Sequence, residues 1–320
     1  MKSYADKNSI TFIHPTMERF AVILAGGDGT RLMGLTRQLT GCERPKQFCP
    51  ITSDETMLAA TEKRIGLNIR PENTFFSLTA THEPYFRESL TNASKRQKIV
   101  QPENKGTGPA ILYSLLRLEK VNPEAMVAFF PADHYVSDDS LFMDHVDRAF
   151  HEVTKKPGSL VLLGIEPTSP EASYGWIELD EEPGDEKLVD IAGVRQFWEK
   201  PKQSEASDLM DKGCLWNSFV MVGKVKSFLK LFRQQVPHMY RLFCAVSIVI
   251  GTSAERISMK TIYAMIGRSE FSRAVLENVR EDLCVLRVRG VSWSDLGEPR
   301  RVIQKLAELG LRNRFFPMAA

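Results

Sequence analysis

A glycine-rich loop near the amino terminus carries the strongest chemical signal in the sequence. It reads Leu-Ala-Gly-Gly-Asp-Gly-Thr-Arg-Leu over residues 24–32 and directly follows an apolar run that predicts a strand. Glycines let backbone N–H groups approach a ligand, so such a loop can bind phosphate, and Arg31 adds a guanidinium suited to the same anion. The spacing fits neither the dinucleotide fingerprint nor the Walker pattern. A tight strand-to-helix connection is the alternative.

Charged side chains at three further positions could act beside this loop. Lys46, within Arg-Pro-Lys-Gln-Phe, offers a compact cation, although a lone lysine is usually a solvated surface residue. Asp133 comes just after the apolar run 126–131, at the carboxyl end of a predicted strand, where ligands bind in open α/β sheets. Asp295 also follows a strand-like run. The alternatives are a helix cap for Asp133 and a turn residue for Asp295.

The elements that must position these residues are strands alternating with helices. Apolar runs at 20–25, 74–80, 126–131 and 160–165 predict buried strands, and helical patterns at 109–120 and 140–155 lie between them. The alternation predicts a doubly wound α/β fold with a mostly parallel, mixed sheet. Two short runs, 175–179 and 194–199, flank turn residues at 183–185 and predict a hairpin beside the main sheet. Residues 224–279 are mainly helical in pattern, 284–288 predict a strand, and a last helix starts at Pro299.

Composition excludes several classes of protein. The 320 residues include 42 Lys and Arg against 40 Asp and Glu, so nucleic acid and anionic membranes are not expected partners. Five cysteines without CxxC spacing argue against a zinc ribbon or a disulfide framework. We expect a cytoplasmic protein without a signal peptide or transmembrane segment, with a weakly ordered arm over 1–18 and one catalytic domain over 19–320.

Motifs in a fixed order make the chain resemble the sugar-1-phosphate nucleotidyltransferases, and in particular the mannose-1-phosphate guanylyltransferases. The glycine loop and Pro-Lys-Gln-Phe (45–48) look like the family's pyrophosphorylase signature. Further blocks follow in the family's order across residues 20–300: 101–102 with 105–111, 131–134, 174–178, 197–201, 216–218, 271–277 and 293–297. The resemblance implies a Rossmann-like fold of the nucleotide-diphospho-sugar transferase type. It also implies transfer of a nucleotidyl group from a nucleoside triphosphate to a sugar-1-phosphate, with release of pyrophosphate.

The resemblance assigns roles to sixteen residues. Arg31, Lys46 and Asp133 are the expected catalytic residues, and Asp133 with Asp295 is expected to hold Mg²⁺. Nucleotide contacts are expected from Ala25, Gly26, Gly27, Gly29, Thr30, Gln101 and Gly106. Contacts to the sugar phosphate are expected from Gly175, Glu178, Glu199, Lys200 and Asn217. His134 is not needed as a general base, because a sugar phosphate is already ionised.

Departures from the family pattern bear on specificity. Gln101 stands where the guanylyltransferases usually have glutamate, and Phe219 stands where the family has glycine. The expected pair of substrates is GTP and mannose-1-phosphate. One alternative is another pair, such as glucose-1-phosphate with UTP or dTTP, and a second is a catalytically silent regulatory paralogue. A nicotinamide dehydrogenase is disfavoured by the spacing at Leu32. The oligomeric state stays open, with a homodimer among the alternatives.

Overall fold

Apolar runs of the sequence become the strands of a nine-stranded sheet in a computed structural model, which describes residues 18–180 and 190–311. The sheet strands are β1 (Arg19–Leu24), β2 (Thr74–Thr79), β3 (Lys98–Gln101), β4 (Met126–Pro131), β6 (Leu160–Ile165), β7 (Gly175–Asp180), β8 (Ile191–Glu199), β9 (Leu215–Lys224) and β10 (Leu283–Val288). A separate two-stranded ribbon pairs β5 (Tyr135–Val136) with β11 (Trp293–Ser294).

The order of the strands places the ends of four parallel strands side by side. The sheet runs β3-β2-β1-β4-β9-β6-β10-β8-β7, and the first four strands are mutually parallel. Strand β9 runs antiparallel to both β4 and β6, so its beginning lies at the edge where those strands end. Ligand sites of open α/β sheets form at that edge, because loops leaving neighbouring strands converge there.

Helices cover both faces of the sheet, as a doubly wound fold requires. They are α1 (Met33–Thr40), α2 (Met57–Ile65), α3 (Glu83–Ser89), α4 (Thr107–Val121), α5 (Asp139–Lys155), α6 (Gln203–Asp211), α7 (Val225–Gln235), α8 (Pro237–Ala245), α9 (Glu255–Met265), α10 (Phe271–Ala274) and α11 (Pro299–Glu308). In β1, Phe20 and Val22 pack with α4 and α7 on one face, whereas Ala21 and Ile23 pack with α2 and α5 on the other. Alternate side chains of one buried strand therefore serve two cores.

A third, smaller core holds the carboxyl-terminal helix near the glycine loop. Val302 and Leu306 of α11 pack with Leu32 and Leu35, on either side of the start of α1. Burial of these side chains is worth roughly 1.5–3 kcal/mol each, so the last helix contributes to the position of the loop.

The predicted fold class is confirmed, with three differences in detail. The predicted hairpin, β7 and β8, forms the far edge of the main sheet, and β7 also pairs with β9. Strand β9 is the central strand of the nine and was not predicted as a strand, because its polar residues Asn217 and Ser218 interrupt the apolar run. Helix α6 was also missed. The turn at 183–185 and the arm over 1–18, except for Glu18, lie outside the described residues. Within 18–180 and 190–311, no helix is both long and apolar enough to cross a membrane.

Candidate active site

One cleft of about 340 Å³ opens where the parallel strands end. Its walls include eleven of the sixteen predicted site residues: Gly26, Gly27, Arg31, Gln101, Gly106, Asp133, Gly175, Glu199, Lys200, Asn217 and Asp295. These residues come from eight separate segments of the chain, so only the fold brings them together. The other five predicted residues, Ala25, Gly29, Thr30, Lys46 and Glu178, do not line this cleft.

Side chains fixed behind the glycine loop set the direction of its backbone. The side-chain amide of Gln47 donates from Nε2 to the carbonyl oxygens of Ala25 (3.0 Å) and Gly27 (2.8 Å), and Thr79 Oγ1 donates to that of Gly26 (2.9 Å). The N–H groups of residues 26–29 have no hydrogen-bond partner among the described residues. With its carbonyls bonded from one side, the loop leaves successive N–H donors for an anion.

Two of the cleft residues expected to contact the nucleotide must be glycine, for different reasons. A Cβ at Gly26 would lie 2.8 Å from Thr79 Oγ1 and 2.9 Å from Gln101 Nε2, so the loop packs directly against these side chains. At Gly106 the φ angle is +92°, and a Cβ would lie 2.5 Å from the carbonyl oxygen of Ser269. Any side chain at either position would push the loop or the start of α4 away from the cleft.

Gln101 is held by hydrogen bonds within the protein. The hydroxyl of Tyr263, on α9, donates to Gln101 Oε1 (2.9 Å), while Gln101 Nε2 donates to Ser77 Oγ (3.2 Å) and to the carbonyl oxygen of Leu78 (3.3 Å). The amide is buried. The protein therefore fixes the orientation of this amide and uses both of its hydrogens, which leaves one lone pair of Oε1 for a ligand.

The buried ammonium of Lys46 joins the two predicted metal-binding aspartates. Its Nζ lies 3.1 Å from Asp133 Oδ2 and donates to the main-chain carbonyl oxygens of Asp295 and Leu296 (3.1 Å to Leu296). Only 8% of the Lys46 side chain is exposed. Lys46 thus contacts Asp133 directly and lies behind the cleft wall, whereas Arg31, with 63% of its side chain exposed, stands at the rim.

The Asp295 carboxylate has a cation of its own. Its Oδ1 lies 3.0 Å from Arg301 Nε and accepts hydrogen bonds from Tyr174 Oη (3.2 Å) and the Gly297 N–H (2.9 Å). Burial raises the pKa of the Asp295 carboxyl, but Lys46 and Arg301 outweigh that effect, and the pKa lies below its usual range. Asp295 is therefore ionised over the whole neutral range.

His134 packs as a neutral aromatic ring. It contacts Trp293 edge-to-face, with ring centroids 5.1 Å apart, and its Nε2 lies 3.7 Å from Asp133 Oδ1. Burial lowers the pKa of His134 to about 4, so the imidazole carries no charge near neutral pH. The ring therefore supplies no cation to the site.

The predicted sugar-phosphate residues form the opposite wall of the cleft, with one exception. Glu199, with 11% of its side chain exposed, lies 3.1 Å from Lys200 Nζ, and a Cβ at Gly175 would come within 3.2 Å of Glu199 Oε2. Glu178 alternates to the other face of β7, where its carboxylate accepts a hydrogen bond from Trp198 Nε1 (3.2 Å). The structure brings Gly175, Glu199, Lys200 and Asn217 together and places Glu178 apart from them.

A bulge in β9 turns Phe219 into the cleft. The pairing of β9 with β6 slips between Leu162 and Gly164, and Asn217 Oδ1 accepts the Phe219 N–H (3.0 Å). Phe219 has a φ of +60°, in the left-handed region that glycine favours. This conformation costs a bulky residue about 1–2 kcal/mol. Strained backbone of this kind persists where the surrounding structure fixes it, and such sites are often functional.

We expect Phe219→Gly to be more stable than Phe219→Ala by about 1 kcal/mol, because only alanine keeps the strained φ. Within an ordinary strand the order is reversed, and glycine is less stable than alanine by about 0.5–1 kcal/mol. Urea unfolding of both variants measures the difference. The same pair at Val222, a buried β9 position, should show the ordinary order. An alanine variant more stable than the glycine variant at 219 would contradict the strain.

Three residues of the site were not predicted. Gln47 and Tyr174 belong to motifs quoted above, but their contacts with the loop and with Asp295 depend on strand order. Arg301 lies in α11, where the helical pattern gave no sign that one cation faces inward over the Tyr174 ring (4.8 Å). Only the structure shows that the side chain of Arg301 is 11% exposed, whereas the neighbouring Arg300 is exposed.

Amide donors and cations at the strand ends of an open α/β sheet form a kind of site that suits phosphate ligands. The chain belongs to the nucleotidyl transferase family, whose family model matches residues 20–309. The fold, the order of the motifs and the match thus agree over nearly the whole described chain.

Individual relatives point in the same direction. A mannose-1-phosphate guanylyltransferase of Escherichia coli is 27% identical over 282 residues, which are 86% of this chain and 59% of that protein. Mannose-1-phosphate guanylyltransferase 2 of Escherichia coli O157:H7 is 29% identical over 304 residues, 92% of this chain and 60% of that protein. The chain therefore spans about three fifths of the length of these curated relatives.

A solved structure resembles the fold over most of its length. The crystal structure described as mannose-1-phosphate geranyltransferase from Thermus thermophilus matches with a TM-score of 0.78 at 27% identity. The match covers 91% of this chain and 80% of that chain.

Proposed function

We propose that this protein transfers a nucleotidyl group from GTP to mannose-1-phosphate, forming a nucleotide sugar and pyrophosphate. The observation that carries the proposal is the glycine loop, whose N–H groups at 26–29 are unpaired within the described chain beside Arg31 and Asp133. Family membership supports nucleotidyl transfer, and the names of the relatives support the two substrates.

The residues of the cleft suit displacement at the α-phosphorus. A phosphate oxygen of the sugar phosphate attacks that atom, a new P–O bond forms, and the bond to the β-phosphate breaks with release of pyrophosphate. Two anions must meet, so positioning and neutralisation of charge dominate the catalysis. The loop N–H groups and Arg31 would hold the triphosphate, and Lys200 would hold the sugar phosphate against Glu199 and Asn217. No general base is needed, which agrees with the lowered pKa of His134, because a pKa of about 4 makes the imidazole a weak base.

Asp133 and Asp295 fit Mg²⁺ in the kind and number of their donors. Magnesium takes one or two carboxylates plus substrate phosphate oxygens, and both carboxylates line the cleft. When bound there, Mg²⁺ would neutralise charge on the α-phosphate and on the attacking phosphate. Each carboxylate already has a cationic neighbour, Lys46 at Asp133 and Arg301 at Asp295, so we propose that the protein tunes metal affinity through these two cations.

Replacing Arg301 by leucine should lower the Mg²⁺ concentration for half-maximal activity about tenfold. The substitution frees Asp295 from a charge-assisted contact, and such contacts are worth about 1.5–3 kcal/mol. Activity titrated with Mg²⁺ at saturating substrates measures the shift, and Arg300→Leu, at the exposed neighbouring position, is the matched control. Activity that is lost at every Mg²⁺ concentration would instead mean that Arg301 contacts a substrate.

A panel of nucleotides and sugar phosphates tests the proposed substrates. Pyrophosphate release would be followed for GTP, ATP, UTP and dTTP, each with mannose-1-phosphate and with glucose-1-phosphate, with and without Mg²⁺. We expect the highest kcat/KM with GTP and mannose-1-phosphate. If another pair gave the highest kcat/KM, nucleotidyl transfer would stand but the proposed choice of GTP and mannose-1-phosphate would be overturned. Gln101 and Phe219 would then be the residues that explain the different specificity. No release with any pair would favour the silent regulatory paralogue.

A further inference from the structure

A second and larger cleft lies outside the site described above. It encloses about 950 Å³ along the edge strand β3, between α4 and the start of α9. We call it the edge cleft. Aromatic and aliphatic side chains form part of its wall, among them Phe75, Tyr113 and Ile250. Its volume is in the range of sites for small molecules.

Positive charge dominates the edge cleft. Six of the seven cations that line it form no ion pair with a described residue: Lys95, Arg96, Lys98, Lys120, Arg256 and Lys260. The two carboxylates in its wall already form ion pairs, Glu255 with Arg117 (2.6 Å) and Glu83 with Arg87 (2.7 Å). The whole chain carries a formal charge of only +2, so this concentration is local. A concave surface focuses such a field and attracts anions.

Hydrogen bonds and an ion pair hold the wall of the edge cleft in place. Tyr113 Oη donates to Glu255 Oε1 (2.6 Å), Arg117 pairs with the other oxygen of that carboxylate, and the Gly251 N–H donates to Glu255 Oε2 (2.8 Å). These bonds fix the start of α9 against α4. A ligand would therefore meet a preformed wall, which lowers the entropic cost of binding.

Gln101 connects the edge cleft with the nucleotide site, because it lines both. Helix α9 adds a second link. It carries Arg256 and Lys260 into the edge cleft, and one turn further on it carries Tyr263, whose hydroxyl fixes the amide of Gln101. If α9 moved toward a bound anion, the hydrogen bond from Tyr263 would shift the side chain of Gln101.

We propose that the edge cleft binds a phosphorylated small molecule of nucleotide size, and that its binding changes the affinity of the active site for nucleotide through Tyr263 and Gln101. The unpaired cations would hold the phosphates, and the aromatic wall would contact the body of the molecule. An acidic peptide paired to the edge strand is disfavoured, because β3 has only four residues. The second half of the proposal rests on the proposed function, whereas binding in the edge cleft does not.

Calorimetric titration with tripolyphosphate tests the binding without any turnover. We expect two sites on the wild-type protein. The double variant Lys98→Glu with Lys260→Glu should bind at least tenfold more weakly at one site and keep the other. The matched control, Lys156→Glu with Lys212→Glu, changes two exposed lysines outside both clefts and should keep both sites. Tripolyphosphate binding that is the same in the wild type and in the Lys98 and Lys260 variant would overturn the proposal.

The source of the phosphate is distinguished by competition at the edge cleft. A nucleoside triphosphate (GTP), a nucleotide sugar (GDP-mannose) and a sugar phosphate (mannose-1-phosphate) are each added before tripolyphosphate. Displacement by one of the first two supports a ligand of nucleotide size and identifies its class. Displacement by mannose-1-phosphate alone, or by none of the three, overturns the size that we propose. Binding of a polyglutamate peptide in place of tripolyphosphate would assign the edge cleft to a protein partner instead.

The coupling is tested with Tyr263→Phe, which removes only the hydroxyl that reaches Gln101. This variant should keep tripolyphosphate binding in the edge cleft. It should lose the change in KM for nucleotide that the wild type shows on addition of the edge-cleft ligand, expected to be threefold or more. An unchanged effect in Tyr263→Phe, or none in the wild type, would overturn the coupling. Failure of the proposed function is seen separately, as a wild type without turnover that still binds tripolyphosphate more tightly than the Lys98 and Lys260 variant does.

Discussion

Replacing Asp133 by asparagine should lower kcat about a thousandfold, equivalent to roughly 4 kcal/mol of transition-state stabilisation. The change removes the charge that is expected to bind Mg²⁺ and that lies 3.1 Å from Lys46 Nζ. Asparagine keeps the size of the side chain, so the shape of the cleft is retained. Steady-state kinetics at saturating substrates measure the effect, and the KM values should change far less than kcat.

Loss of stability must be separated from loss of chemistry in this variant. Lys46 is buried, and removal of its anionic partner should lower the free energy of unfolding by about 2 kcal/mol, less than for a fully buried pair because two carbonyl oxygens remain. Asp139→Asn is the matched control, since Asp139 also contacts a buried cation, Arg64 (2.5 Å), but lies outside the cleft. It should lose comparable stability and keep kcat. Equal kcat values for the two variants would remove Asp133 from the catalytic set.

The sequence predicted the strands correctly where an uninterrupted run of apolar residues indicated a buried strand. Strands β1, β4 and β6 are apolar along nearly their whole length, and their bounds were predicted to within one residue. The sequence did not predict strand β9, because Asn217 and Ser218 interrupt its apolar run. Their side chains form the hydrogen bonds of the bulge, an arrangement that polar residue types alone do not reveal. Residue types could not predict that β9 lies between β4 and β6, antiparallel to both. Such pairing depends on contacts between residues that are far apart in the sequence.

The candidate site was predictable as a set of motifs, but the direction of its side chains was not. Alternation along β7 places Gly175 at the cleft and Glu178 on the opposite face, a difference that a one-residue change of register would reverse. Lys46 was expected to be a catalytic residue, and that expectation stays a prediction. In the structure its ammonium contacts Asp133 and two carbonyl oxygens. The pairing of Asp295 with Arg301 depends on how α11 packs, which no local pattern encodes.

Two neighbouring glycines allow a sharp test of the phosphate loop. Gly26→Ala places a methyl group 2.8 Å from Thr79 Oγ1 and 2.9 Å from Gln101 Nε2, so the loop must shift. A Cβ at Gly27 has no neighbour within 4 Å, yet Gly27 lines the cleft. We expect Gly26→Ala to lower the free energy of unfolding by about 1–3 kcal/mol through overpacking, and Gly27→Ala to leave it within about 0.5 kcal/mol.

Both variants should bind nucleotide poorly, although for different reasons. Gly26→Ala displaces the N–H donors and Gln101 together, whereas Gly27→Ala adds a methyl group on the open side, where phosphate oxygens would approach. We expect KM for the triphosphate to rise about a hundredfold and about tenfold, respectively, the smaller change corresponding to roughly 1.4 kcal/mol. Gly34→Ala, in α1 and also free of neighbours within 4 Å, is the control for both. If Gly27→Ala bound nucleotide as tightly as the wild type, phosphate would not approach this loop from the cleft, and the open N–H groups would need another explanation.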